Sequence, residues 1–271
     1  MNNVQKILWF ISRPKYLFVF FEIIKNKIFF LKKKSSINFC KSKKVSYRHF
    51  KIKFLNKKSN NHNVNKYLDF KKSLEIIKKN KKMLEVAQNY GKKNFQLNIK
   101  NFISKSGASN INLLYEIIKI KKPRNIIETG VAYGWSSYAI LLAINHNKFG
   151  KLISIDLPYP LINEKKNIGV IVPKNLKKKW TLIFDRDFNG IKKALKKFNY
   201  KVDLFHYDSD KNYEPKLKNL QLIWNYISNN GVIICDDIND NYAFFDFVKK
   251  INKKYFVLKI YKKYVGVIVN D

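Results

Sequence analysis

Negative charge is scarce in this sequence: 19 Asp and Glu stand against 55 Lys and Arg, a formal net charge of +36 over 271 residues. Such an imbalance first suggests a polyanion as partner. The basic residues, however, are overwhelmingly Lys, scattered with Asn and Ile along the whole chain as an A+T-rich coding sequence would give. There is no Arg-rich segment, recognition-helix pattern or zinc-finger spacing, which argues against direct nucleic-acid binding. An anionic membrane surface or a polyanionic substrate stays open, because the field exists whatever its origin. Cysteine is nearly absent too. Cys40 and Cys235 lie far apart, outside any metal-ligand spacing, so the chain reads as reduced and cytoplasmic, without a disulfide framework. Cys235 follows Val232-Ile233-Ile234, where a buried thiol simply packs. Long apolar runs are missing as well. The longest near the N-terminus, Tyr16 to Phe21, falls far below the roughly 20 residues that span a bilayer, and no small-residue cleavage site follows it.

What is present is a chain that is 46% hydrophobic and 15% aromatic, enough for a packed core and against disorder. Residues 1–60 form a basic extension whose one acid is Glu22. Within it Tyr16–Leu31, interrupted by Glu22, Lys25 and Lys27 and flanked by Lys32, Lys33 and Lys34, predicts an amphipathic helix. Such a helix suits an anionic membrane surface, a neighbouring subunit of a homo-oligomer, or the surface of the main domain. Asn56–Val64 reads as a linker. A helical lead-in over 61–122 carries helical spacing in Tyr67–Tyr90 and again in Asn110–Ile120.

After Pro123 short apolar runs alternate with helical segments. Strands are predicted at Asn125–Thr129, Leu152–Asp156, Thr181–Phe184, Val202–Asp208, Gly231–Asp236, Tyr255–Ile260 and Tyr264–Val269. Helices are predicted at Ser136–Asn145, Gly190–Phe198 and Lys216–Ile227. Alternating βα units imply an α/β domain over 123–271: a Rossmann-like, seven-stranded, mostly parallel sheet with helices on both faces and a terminal β-hairpin.

In such a sheet ligands bind at the C-terminal ends of the strands, near the reversal of strand order. The first strand of the domain runs into Glu128-Thr129-Gly130-Val131-Ala132-Tyr133-Gly134-Trp135-Ser136-Ser137. Gly130 permits a tight turn, Gly134 a close backbone approach to a ligand, and the helix from Ser136 offers free backbone N–H groups. The glycine spacing differs from the Gly-x-Gly-x-x-Gly of dinucleotide sites. The next strand ends in Asp156, 26 residues beyond Gly130, near the offset of a ribose-binding acid. Asp187 follows the third strand, where it could reach an adenine amine or merely cap a turn. Asp208, Asp210, Asp236 and Asp237 lie at or just past two further strand ends. Carboxylates forced together repel unless a cation neutralises them, and oxygen ligands suit Mg²⁺ or another hard divalent ion.

At these residues the sequence resembles the class I methyltransferases, and within them the branch of macrocin- and novobiocin-type O-methyltransferases. The resemblance covers roughly 105–269. It rests on the glycine turn, on Ser154-Ile155-Asp156-Leu157-Pro158, on His206-Tyr207-Asp208-Ser209-Asp210-Lys211-Asn212-Tyr213-Glu214 and on Asn230-Gly231-Val232-Ile233-Ile234-Cys235-Asp236-Asp237-Ile238. It implies S-adenosylmethionine as cofactor, held by Glu128, Gly130, Tyr133, Gly134, Ser136, Ser137, Asp156, Asp187 and Asp208. In metal-dependent members Asp208, Asp236 and Asp237 would hold the ion, and Asp210 or His206 would act as base. Lys211 departs from the pattern, where relatives often carry His or Leu, and a Lys beside the carboxylates can supply part of a metal's charge. The expected reaction is O-methylation of a sugar or other small hydroxylated metabolite. Two rivals remain from the residues alone. One is an NAD-linked sugar oxidoreductase, disfavoured by the glycine spacing and by Tyr67/Lys71 and Tyr115/Lys119 preceding the turn. The other is a non-catalytic membrane- or nucleic-acid-associated protein using the basic surface.

Overall fold

The computed structural model describes residues 35–46, 50, 110–157, 165, 168–260 and 263–271. The predicted helices Tyr16–Leu31 and Tyr67–Tyr90 and the linker Asn56–Val64 lie outside these residues. Helix α1 (Ile37–Lys43) leads into a two-residue strand β1 (Lys44–Val45), and α2 (Ile111–Lys121) precedes the alternating part of the chain. There follow β2 (Asn125–Thr129), α3 (Trp135–Asn147), β3 (Lys151–Asp156) and β4 (Trp180–Phe184), entered through a 3₁₀ turn at Lys174–Lys179. Then come α4 (Asp187–Lys197), β5 (Val202–Tyr207), α5 (Tyr213–Trp224), β6 (Ile227–Cys235), α6 (Ala243–Ile251), β7 (Tyr255–Ile260) and β8 (Lys263–Val269). Among the described residues no helix is long and apolar enough to cross a membrane.

The strands form one sheet in the order β1-β7-β8-β6-β5-β2-β3-β4. Pairing is parallel throughout except around β8, which runs antiparallel to β6 and β7. The Rossmann-like sheet and terminal hairpin are as expected, with one addition. An eighth strand, β1, comes from the N-terminal extension and pairs Lys44 with Val257 and Val45 with Leu258. Two residues carry no periodicity, so nothing in the local sequence marks them as strand.

Two cores flank the sheet because neighbouring strand residues point to opposite faces. Ile126, Leu204, Val232 and Ile234 meet α2 and α3. Ile127, Phe205, Ile233 and Cys235 meet α4, α5 and α6. Strands covered on both faces read as continuous apolar runs, which is why they stood out in the sequence. The helix predicted at Lys216–Ile227 instead ends at Trp224, since Ile227 already pairs with Val202 as the first residue of a longer β6. Helix α6 was not predicted. It buries Phe244, Phe245, Phe247 and Val248 against the sheet.

Candidate active site

The order reversal falls between β2 and its neighbours: from β2 the chain steps outward to β3 and β4, then returns to β5 on the other side. The loops after β2 and β5 therefore diverge at this point and open a crevice at the C-terminal strand ends. The glycine turn lies there. Gly130 has φ +81° and Gly134, the residue capping α3, has φ +95°, and between them Ala132 also takes a left-handed φ of +48°. A Cβ on Gly130 would collide with the Asp208 carbonyl, so the turn after β2 and the acidic loop after β5 touch through backbone at this glycine.

Beneath the turn is a closed polar network. Glu128 is fully buried, and its Oε2 accepts from the Ser137 hydroxyl at 2.5 Å and the Ser154 hydroxyl at 2.7 Å. Ser154 in turn accepts from Trp180 Nε1 at 2.8 Å. His206, also fully buried, brings Nδ1 to 3.4 Å from Glu128 Oε1. Glu128 and Ser137 were expected among the residues touching the cofactor. Both are fully buried, and the Ser137 hydroxyl is bonded to Glu128. Tyr133 and Ser136 are also buried. The segment after Ile168 lies over that side of the turn, with Gly169 N–H donating to Ala132 O at 2.9 Å and Ile171 N–H to Tyr133 O at 3.2 Å.

Around the turn stand the acids of the second and third strand ends. Asp156 Oδ2 accepts the backbone N–H groups of Val131 and Ala132, both at 2.8 Å, which fastens the end of β3 to the turn. Burial nevertheless pushes its carboxyl up to about 6. Asp187, the first residue of α4, accepts from the Ser209 hydroxyl at 2.5 Å, and burial raises it to about 7 against that hydrogen bond. Ser209 also lies 3.0 Å from Thr129 Oγ1, so Asp187, Ser209 and Thr129 tie three strand ends together.

The acidic cluster is assembled differently from expectation. His206, Asp208 and Asp236 bring one ligand-type atom each to within 4.8 Å of one another. Asp237, expected as the third ligand, instead faces two lysines, with Lys211 Nζ at 2.7 Å and Lys263 Nζ at 3.2 Å. Burial would raise its pKa, but the two ammonium groups more than offset this and hold it below the usual carboxylate range. Lys211 also donates to Asp208 Oδ1 at 2.5 Å and so bridges the two acids. Asp236 is driven up to about 7, by burial first and by Asp208 next. Its Oδ1 accepts from Asn110 Nδ2 at 2.5 Å, and the same amide nitrogen lies 3.1 Å from His206 Nε2. Below the loop a buried Lys216 donates to the carbonyls of Asp236 at 3.2 Å and Asp237 at 2.9 Å.

A divalent cation does not fit this donor set as it stands. Asp208 Oδ1 already meets Lys211, Asp236 Oδ1 and His206 Nε2 meet Asn110, and Asp237 meets two lysines. Of the two candidate bases, His206 is sealed in, with both ring nitrogens against Glu128 and Asn110. Asp210 is half-buried, and its Oδ1 accepts the Asn212 backbone N–H at 2.8 Å and side-chain N–H at 2.7 Å. Asn110, Lys216 and Lys263 were not anticipated. The first is one of many Asn and the others are lost among 55 basic residues.

A sheet with this order, a glycine turn after its central strand and acids at the neighbouring strand ends form a Rossmann-like α/β arrangement. Residues 127–238 match the model of a family described as "Methyltransferase domain". No curated protein matches the chain. Among solved structures, the fold is shared with the O-methyltransferase TomG of Streptomyces achromogenes, involved in tomaymycin synthesis, in complex with SAM. The TM-score is 0.52 and the identity 14%, over 76% of this chain and 96% of that one. An O-methyltransferase from Bacillus cereus in complex with SAH aligns with 15% identity over 68% of this chain and 97% of that one, with a TM-score of 0.47.

Proposed function

We propose that the domain moves the methyl group of S-adenosylmethionine to a hydroxyl of a small acceptor, a sugar or other hydroxylated metabolite. The observation that carries this is the contact of Gly130 with the Asp208 carbonyl, which sets the acidic loop at the mouth of the cofactor turn. The residues present suit that cofactor by donor chemistry. Asp156 and Asp187 are carboxylate acceptors beside the turn, the kind of group that ribose hydroxyls and an adenine amine need. The fold shared with an enzyme named as an O-methyltransferase supports the choice of oxygen as nucleophile.

When bound, the cofactor supplies a sulfonium-activated methyl group. The chain's work is then alignment, holding the acceptor oxygen in line with the methyl, and disposal of one proton. As the new C–O bond forms, the hydroxyl proton passes to Asp210, whose carboxyl is oriented by Asn212. Asp208, held by Lys211, positions the acceptor between the two loops. The excess of lysine favours acceptors that carry negative charge.

Calorimetry with S-adenosylhomocysteine and turnover on a panel of hydroxylated acceptors test this reading. We expect cofactor-product binding, methyl transfer to oxygen, and loss of turnover in Asp208→Ala and Asp210→Asn with binding retained. Protection from thermal unfolding by NAD and not by S-adenosylmethionine would overturn it in favour of an oxidoreductase.

A further inference from the structure

We infer that Lys211 is the resident cation of the acidic cluster, standing where a divalent ion would otherwise be needed, and that methyl transfer by this chain requires no metal. The inference rests on the proposed reaction at this site and concerns what positions its acids. Three carboxylates, Asp208, Asp236 and Asp237, converge after β5 and β6. Such a group repels itself unless positive charge is inserted. Here the charge comes from the chain: Lys211 Nζ lies 2.5 Å from Asp208 and 2.7 Å from Asp237, and Lys263 Nζ lies 3.2 Å from Asp237. Two ammonium groups supply the two charges of one divalent ion.

The Lys211 side chain is partly exposed, but the backbone that carries it is fixed on both sides. Its carbonyl accepts from Asn241 Nδ2 at 2.8 Å, which ties the loop after β5 to the loop after β6. Asp210 and Asn212 on either side of it form the turn that opens α5. The loop backbone opposite is pinned by Lys216 on the carbonyls of Asp236 and Asp237. Asn110 lies against Asp236 Oδ1 and His206 Nε2. An incoming ion that used Asp208 Oδ1 or Asp236 Oδ1 would have to displace Lys211 or Asn110, and by any route it would sit beside an ammonium of like sign. Mg²⁺ gives up its water only for near-ideal octahedral oxygen sites, and this cluster offers none while Lys211 is in place. Lys211 acts through Asp208 and is a positioning residue.

The test uses the full chain, with Mn²⁺ as the titrant because it reports on the same kind of oxygen-rich site. Wild type and Lys211→Arg are expected to bind no Mn²⁺ in calorimetry, while Lys211→Met acquires a site at least tenfold tighter than either. Asp208→Asn in the Lys211→Met background should remove that site. Methyl transfer by the wild type should survive EDTA, fall in Lys211→Met, and recover in Lys211→Arg or, in Lys211→Met, on adding Mn²⁺. Stoichiometric Mn²⁺ binding by wild type that Asp208→Asn abolishes overturns the inference, and so does EDTA-sensitive turnover. Failure of Lys211→Met to gain a site overturns it as well. If Lys211→Met does not fold, the wild type and Lys211→Arg still decide, since both must be blind to Mn²⁺. The metal titrations read Lys211 alone, whereas failure of every hydroxylated acceptor would count against the proposed reaction and leave the titrations standing.

Discussion

Asn110 donates its side-chain amide to Asp236 at 2.5 Å across 126 positions of sequence, joining the start of α2 to the end of β6. Both residues are buried, so neither can exchange this partner for water. The helix before the sheet is thus part of the candidate site.

Asn110→Ala leaves a buried carboxyl without its donor, a change that typically costs about 1–3 kcal/mol. We expect the urea midpoint to fall accordingly. Asn110→Asp should cost more, because it adds a carboxyl beside Asp236 and deepens the repulsion. Equal midpoints for wild type and both variants would show that the contact contributes nothing.

Gly130→Ala places a methyl against the Asp208 carbonyl at a φ of +81°. Backbone held in such a region by a residue with a side chain costs about 1–3 kcal/mol before the collision is counted. The turn must shift, so S-adenosylhomocysteine affinity should drop at least tenfold in calorimetry. Undiminished affinity would place the cofactor elsewhere.

Ser36, just ahead of α1, is fully buried and donates to the Ile238 carbonyl at 2.6 Å. Its neighbour Ser35 donates to the Asn239 carbonyl at 2.8 Å. The loop that carries Asp236 and Asp237 is therefore held partly by the N-terminal segment. Ser36→Ala should cost about 1 kcal/mol and speed amide exchange across 236–240, while exchange in β3 and β4 stays unchanged. Unaltered exchange in that loop would separate the two segments.

Asp187 titrates near 7 in the folded chain because it is buried, against about 3.9 when unfolded. The folded state therefore holds this proton more tightly. The group's contribution is fully present below about pH 4 and is lost as pH rises through 7. Asp187→Asn should flatten that part of the stability curve, so its Tm should exceed wild type by a few degrees at pH 8 and by less at pH 5. Asp156 and Asp236, also raised, keep some slope in the variant. Parallel Tm curves for wild type and variant would show that Asp187 does not carry the effect.

The parts of the fold that could be read directly were those with local causes. β2, β3, β5 and β6 are buried on both faces and so appear as unbroken apolar runs, and Gly130 and Gly134 mark a turn whose φ values few other residues tolerate. The convergent acids were visible because acids are rare, with eight of the 19 falling between Asp203 and Asp246. Helix α6 was missed because its Phe-rich face becomes intelligible only once Gly266 of β8 lies against Phe244.

Sequence by itself determined the order of strands β2 to β8 and of the helices α2 to α5, the position of the glycine turn and the identity of the acids, since each follows from spacing along a few residues. It could not determine which way Glu128 faced, because successive side chains of a strand point to opposite sides and both sides of β2 are buried. Nor could it single out Lys211, Lys216 and Lys263 from so many lysines, or link Asn110 to Asp236. Those choices belong to the tertiary structure. Hydrogen bonds and ion pairs act only over a few ångströms, and only the folded sheet brings residues this distant in sequence within that range.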